Sequence, residues 1–169
     1  MIDEKKKTAK TETETERDYL PAATIYHGNY RNTGSAMAQR VKAATVKQTG
    51  YMQLEIARQL EAGDKNKNTF HRFDWGNRIT LRFTFVECGE ILGVLRGNAE
   101  SLRDGAGIIH KAAKFTMRHM VDPIPGYELK AIVTKDGKDA AVSIMLSMEE
   151  GYAIGAAIAA AMGKIAFGC

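Results

Sequence analysis

Beyond Pro21 the apolar residues recur mostly with a period of two, the spacing of a strand with one face buried. Thr24–Arg31 reads as a short strand that ends in the turn-prone Asn32-Thr33-Gly34. Met37, Val41 and Ala43 alternate with Arg40 and Lys42, and Met52, Leu54 and Ile56 alternate with Tyr51, Gln53, Glu55 and Ala57. The polar stretch Glu61–Asn68 reads as a loop. Ile79, Leu81, Phe83 and Phe85 are then predicted on one face of a strand, with Thr80, Arg82 and Thr84 on the other. Helical spacing takes over at Ile91, Leu92 and Leu95, with Gly97 as the stop. A second set of strands follows: Ile108–Ala112, Lys114–Val121, Tyr127–Thr134 and Ala140–Ser147. Asp136-Gly137 between two alternating runs is a hairpin signal. A helix predicted from about Met148 to Ile165 closes the chain, with Glu149 and Glu150 at its positive end.

Four strands and a helix, given twice, imply antiparallel sheets with helices packed on one side, an α+β layout. The 169 residues suit one domain with a sizeable core. Residues 1–20 are expected to be a disordered, solubilising N-terminal arm, since Met1 to Asp18 holds six acids and five bases with almost nothing apolar. Residues 21–169 then form the single domain.

The net charge of +4 is modest, but its distribution is uneven. Tyr26 to Arg82 holds ten Lys or Arg against four Asp or Glu, and Gly107 to Lys135 holds five against two. The helix-like segments, Phe83–Ala106 and Asp136–Cys169, are each acidic by two charges. Basic residues on strands, with Tyr and Phe among them, suit a polyanion that carries flat bases. The candidate contacts from strand phase are Arg40, Lys42, Arg78 and Arg82, with Lys114 and Arg118 sharing a face of a later strand. Tyr30 and Tyr51 lie out of phase with the apolar rows and could stack bases, and Arg31 follows Tyr30 at the end of the first strand. For each cation alone, a solvated strand charge is the simpler reading; the set on adjacent strands favours a binding face. Trp75 beside Asp74 is read as strand-end packing ahead of base contact, Phe70 and Phe73 carry the same ambiguity, and His110 is read as a structural histidine.

Other chemistries find little support. There is no P-loop and no GxSxG elbow, and Gly105-Ala106-Gly107 lacks the rest of a dinucleotide loop. The four histidines show no metal-ligand spacing with one another or with Cys88, so no catalytic residue, metal or cofactor is expected. Two cysteines without a CxxC pair suit a reducing compartment. With no signal or transit peptide evident, a cytoplasmic protein of bacterial or viral origin is expected. The last helix carries Gly151, Gly155, Ala159 and Gly163 at i, i+4 spacing, a stripe that lets backbones approach closely, on the chain's own sheet or at a crowded interface.

Four segments resemble the Whirly family of single-stranded DNA-binding proteins. These are IYHGNYR (25–31), TGYMQLEIARQ (49–59), RFDWGNRITLRFTFVECGEILGVL (72–95), similar to the family's Tyr-Asp-Trp strand and short helix, and GIIHKA (107–112). The family's Lys-Gly-Lys-Ala-Ala stretch is replaced here by His27-Gly28-Asn29-Tyr30-Arg31. The resemblance covers about residues 24–166. It implies two four-stranded antiparallel sheets, each followed by a helix, and a homotetramer, in which the small-residue stripe of the last helix lies where helices meet near a symmetry axis. It also implies binding of single-stranded DNA, with RNA as the alternative, in protection, annealing, replication or recombination of exposed strands. A structural assembly protein with merely solvated basic strands is the alternative from another class.

Overall fold

In the computed structural model, which describes residues 23–168, the first half of the chain contributes β1 (Ala23–His27), β2 (Ser35–Lys42), β3 (Tyr51–Glu61), the two-residue β4 (Arg72–Phe73), β5 (Ile79–Phe83) and helix α1 (Phe85–Leu95). The second half contributes β6 (Ile108–His110), β7 (Ala113–Met120), β8 (Gly126–Lys135), β9 (Lys138–Ser147) and helix α2 (Met148–Phe167). The expected N-terminal arm, residues 1–20, lies outside the described residues.

All strand pairs are antiparallel. In the first sheet β1, β2 and β3 lie side by side, and β3 pairs on its far side with β5 along Met52–Ile56 and with β4 at Gln59 and Glu61. This sheet therefore has five strands and not the four expected, because a register shift between Gln59 and Glu61 and a short helical turn at Trp75–Asn77 split the strand opposite β3. The second sheet runs β6-β7-β8-β9 as a meander. Its β8–β9 hairpin turns at Asp136 and Gly137, both at positive φ, as the Asp-Gly pair predicts.

Two of the boundaries that differ from the sequence reading change the setting of a named side chain. β1 stops at His27, so Tyr30 and Arg31 sit in the β1–β2 turn. Phe85 is the first residue of α1 and largely exposed, not the end of the apolar row of β5, because Thr84 caps the helix immediately after Phe83. Thr84 and Glu87 form a reciprocal capping box, and Ser147 and Glu150 form the same box at α2. Each sheet thus hands directly into its helix through a Ser/Thr-x-x-Glu segment.

One apolar core joins both sheets and both helices. Met37, Leu54, Leu81 and Phe83 of the first sheet share it with Phe115, Leu129 and Ile144 of the second, and with Leu92, Leu95, Ile154 and Ile158 of the helices. Tyr127 buries its ring here and donates its hydroxyl to the Leu95 carbonyl at 2.9 Å, which satisfies its one polar atom. Gly151 lies against the Tyr127 ring and Gly155 against the Leu95 side chain. That part of the small-residue stripe serves packing within the chain, contrary to the expectation of helices meeting at an axis. Ala156, Ala160 and Gly163, by contrast, face outward with Tyr152 and Phe167.

Candidate nucleic-acid interface

With Met52, Leu54 and Ile56 of β3 turned into the core, Tyr51, Gln53, Glu55 and Ala57 define the outer face of the first sheet. The strand register arranges that face in rows: Lys42 beside Tyr51, Arg40 beside Gln53 beside Arg82, Thr24 beside Ala38 beside Glu55 beside Thr80, and Tyr26 beside Ala36 beside Ala57. Five of the sequence candidates, Arg40, Lys42, Tyr51, Arg78 and Arg82, belong to this face or its rim.

Glu55 sits at its centre, only 5 % exposed. Arg78 Nε donates to Glu55 Oε1 at 2.8 Å, Arg40 Nε lies 3.6 Å from Oε2, and Gln53 Nε2 donates to Oε1 at 3.0 Å. Arg78 also donates to the Trp75 carbonyl at 2.6 Å. One carboxylate thus orients two guanidiniums and leaves the trio with one net positive charge. Arg82 lies over the Tyr51 ring, 4.9 Å from its centroid, a cation–π contact that keeps a charge and a flat ring together.

The opposite end of the face is aromatic. Tyr26 of β1 meets Phe73 of β4 at 5.5 Å between centroids and the edge of Trp75 at 6.4 Å. Two strands separate Tyr26 from Phe73, and neighbouring strands lie about 4.8 Å apart, so the rings reach each other across β2 and β3. Ala36 and Ala57, both fully buried, occupy the intervening positions, and larger side chains there would keep the rings apart. Asp74 accepts from Asn77 N–H and Nδ2 and fixes the turn that carries Trp75. Tyr26 remains well exposed, so the cluster presents ring surface to solvent.

The β1–β2 turn is pinned by Gln59, which is nearly buried. Its Oε1 accepts from Asn29 N–H at 2.9 Å and Gly34 N–H at 3.1 Å, and its Nε2 donates to Asn29 O at 2.7 Å. Tyr30 is thereby held edge-on to His71 at 5.2 Å, with Lys65 Nζ 5.1 Å from its centroid. Arg31 is exposed in the same turn.

The nine sequence candidates therefore fall in three places. Tyr30 and Arg31 share the turn, five lie on the face just described, and Lys114 and Arg118 lie on the outward face of the second sheet, where Arg118 pairs with Glu128. Strand phase puts Arg40, Lys42, Arg78 and Arg82 on one side of the first sheet, as the register does. It missed Glu55, Gln59, Tyr26 and His71, although the alternation of Tyr26 with the partly buried Ile25 was a usable signal.

Other titratable groups serve the fold. His110 bonds Glu87 Oε1 at 2.6 Å and packs on Phe83, the structural role expected. Burial pushes the Cys88 thiol up to about 12, which makes it a packing group without nucleophilic character at neutral pH.

No protein-family model matches the chain, and no curated protein matches it by sequence. Solved structures do. WHY1 from Arabidopsis thaliana superposes with a TM-score of 0.63 at 16 % identity, covering 88 % of this chain and 86 % of that one. MRP1/MRP2 from Trypanosoma bruciei gives 0.60 at 17 %, covering 85 % and 84 %. A guide-RNA-binding protein complex bound to a gRNA gives 0.60 at 16 %, covering 84 % and 89 %. At these identities the likeness speaks for architecture, and on it the chain has a Whirly-like fold, two antiparallel sheets with a helix each.

Proposed function

We propose that this protein binds single-stranded DNA with little sequence preference, without catalysis, to protect or anneal exposed strands in replication or recombination. The observation that carries this reading is the outer face of the first sheet. Guanidiniums held by Glu55 and Tyr51 adjoin a cluster of the exposed Tyr26 with the half-buried Phe73 and Trp75. An unstructured strand needs cations along its phosphates and flat rings under its bases, and stacking contributes about 1–3 kcal/mol per base. The reading includes a homotetramer assembled through the outward face of α2, where Tyr152, Ala156, Ala160 and Phe167 leave an apolar surface in solvent, and a cytoplasmic setting.

Fluorescence anisotropy with labelled oligo-dT at two salt concentrations tests the reading. Saturable binding that weakens with salt is expected, and duplex DNA should compete poorly. Arg40→Glu combined with Arg82→Glu should reduce affinity at least about tenfold, with oligomer size unchanged by light scattering. Undiminished affinity would place the strand on another surface. RNA is the second reading, favoured by the likeness to the structure bound to a gRNA. Competition between DNA and RNA of one sequence separates the two, because only RNA offers a 2′-hydroxyl.

A further inference from the structure

Beyond the end of β3 the chain makes a loop that returns to β4, and Phe70 on this loop is 88 % exposed. The loop is tied in place. Asp64 N–H donates to Thr69 Oγ1 at 2.8 Å, Thr69 N–H to Asp64 O at 3.1 Å, and Asn66 N–H to Asp64 Oδ1 at 2.9 Å. Phe70 therefore projects from a fixed backbone.

Between Phe70 and the aromatic cluster lies an open pocket of about 460 Å³, lined by Tyr26, Gly28, Phe70, His71 and Phe73. Its volume falls in the range of small-ligand sites. Gly28 is required here, because a Cβ at that position would strike the His71 ring.

His71 supplies the polar contact. Its Nδ1 accepts from Gly63 N–H at 2.9 Å and lies 3.2 Å from the Gln59 amide nitrogen. Two donors on Nδ1 put the imidazole proton on Nε2. That N–H has no partner among the described residues, and the pocket lining contains no carboxylate.

We propose that this pocket seats one unstacked base of the bound strand and that His71 favours a base with a carbonyl at the edge it meets, thymine over cytosine. The assignment rests on the single-strand reading above and adds a base preference to it. The rings of Phe70, Phe73 and Tyr26 supply stacking surface for any base. With the base seated so that its 4-position edge meets His71, the Nε2–H supplies a donor, which thymine O4 accepts and the N4 amino group of cytosine opposes.

The test is competition between oligo-dT and oligo-dC of equal length, read by anisotropy with the full chain and two variants. The unaltered protein should prefer oligo-dT by about fivefold or more, the worth of one net hydrogen bond. His71→Asn keeps an acceptor near the Nδ1 position for Gly63 N–H and withdraws the Nε2 donor, so the preference should vanish. Phe70→Ala should weaken both oligonucleotides by about fivefold or more with the melting temperature unchanged, since the ring is exposed. Equal binding of oligo-dT and oligo-dC by the unaltered protein, or undiminished binding after Phe70→Ala, overturns the pocket and leaves the single-strand reading standing. These two results decide the matter even where His71→Asn lowers stability. Failure of both oligonucleotides to bind at low salt removes both proposals.

Discussion

Glu55 is one acid on a basic face, and its placement decides what that face offers. Buried beneath Arg40 and Arg78, it holds two guanidiniums in fixed positions and cancels one of their charges. Glu55→Gln keeps the shape and raises the charge of the face by one. Loss of the charge-assisted bonds should reduce stability by about 1–3 kcal/mol. Oligo-dT should nevertheless bind more tightly at low salt, with a steeper salt dependence, because counterion release grows with the number of cations on phosphates. Weaker binding would show that orientation of the two arginines matters more than their net charge. In the sequence, Glu55 is one polar residue of an alternating strand, and Arg40 and Arg78 lie 15 and 23 positions away. Strand phase puts all three on one face, but only the register that sets Arg40 beside Gln53 and Thr80 beside Glu55 brings them together.

At the scale of elements, α2 shows how one sequence pattern serves two surfaces. Gly151 and Gly155 are both buried and one turn apart, yet their surroundings differ. A methyl at Gly151 would run into the Tyr127 ring, whereas one at Gly155 would meet Leu95 Cβ at 3.6 Å, ordinary contact. Gly151→Ala should therefore lose about 1–3 kcal/mol to overpacking. Gly155→Ala should gain up to about 1 kcal/mol, the helix propensity of alanine over glycine. Thermal or urea unfolding of the two variants checks the contrast, and equal losses would mean that both glycines abut rigid neighbours. The i, i+4 spacing was legible in the sequence, and its partner was not. Strand and helix types were legible because period two and Gly-terminated apolar runs are imposed by backbone geometry close to each residue. The misplaced boundaries at His27 and Phe85 lie where a local cap or turn interrupts a continuing apolar pattern.

On the scale of the whole molecule, the two halves hold each other by matching contacts. His27 ends β1, the first strand of one sheet, and bonds the capping-box carboxylate Glu150 of α2 at 2.8 Å. His110 ends β6, the first strand of the other sheet, and bonds the capping-box carboxylate Glu87 of α1 at 2.6 Å. Each clasp crosses from one half to the helix of the other, an architectural repeat with no matching sequence period. For Glu87, burial acts to raise the carboxyl, but the Thr84 N–H, His110 and the Thr84 hydroxyl outweigh it and hold the group below its ordinary range. A lowered carboxylate contributes stability above its unfolded value, and this is lost as pH falls through the folded one. Glu87→Gln should thus be less stable than the unaltered chain near neutrality. The gap should close as pH falls through and below the ordinary carboxylate range. Urea midpoints across that range test it, and a constant gap would assign the loss to packing alone.

By itself the sequence determined the order of the longer strands and the helices, the polar and apolar faces of those strands, and the concentration of positive charge on them. These follow from local periodicity and composition. The tertiary structure decided which cations share Glu55, that Tyr26 and Phe73 meet over Ala36 and Ala57, and that His71 joins them in the lining of one pocket. Those contacts join residues from separate strands and loops. They are fixed by register and by the size of intervening side chains, neither of which a periodic pattern carries.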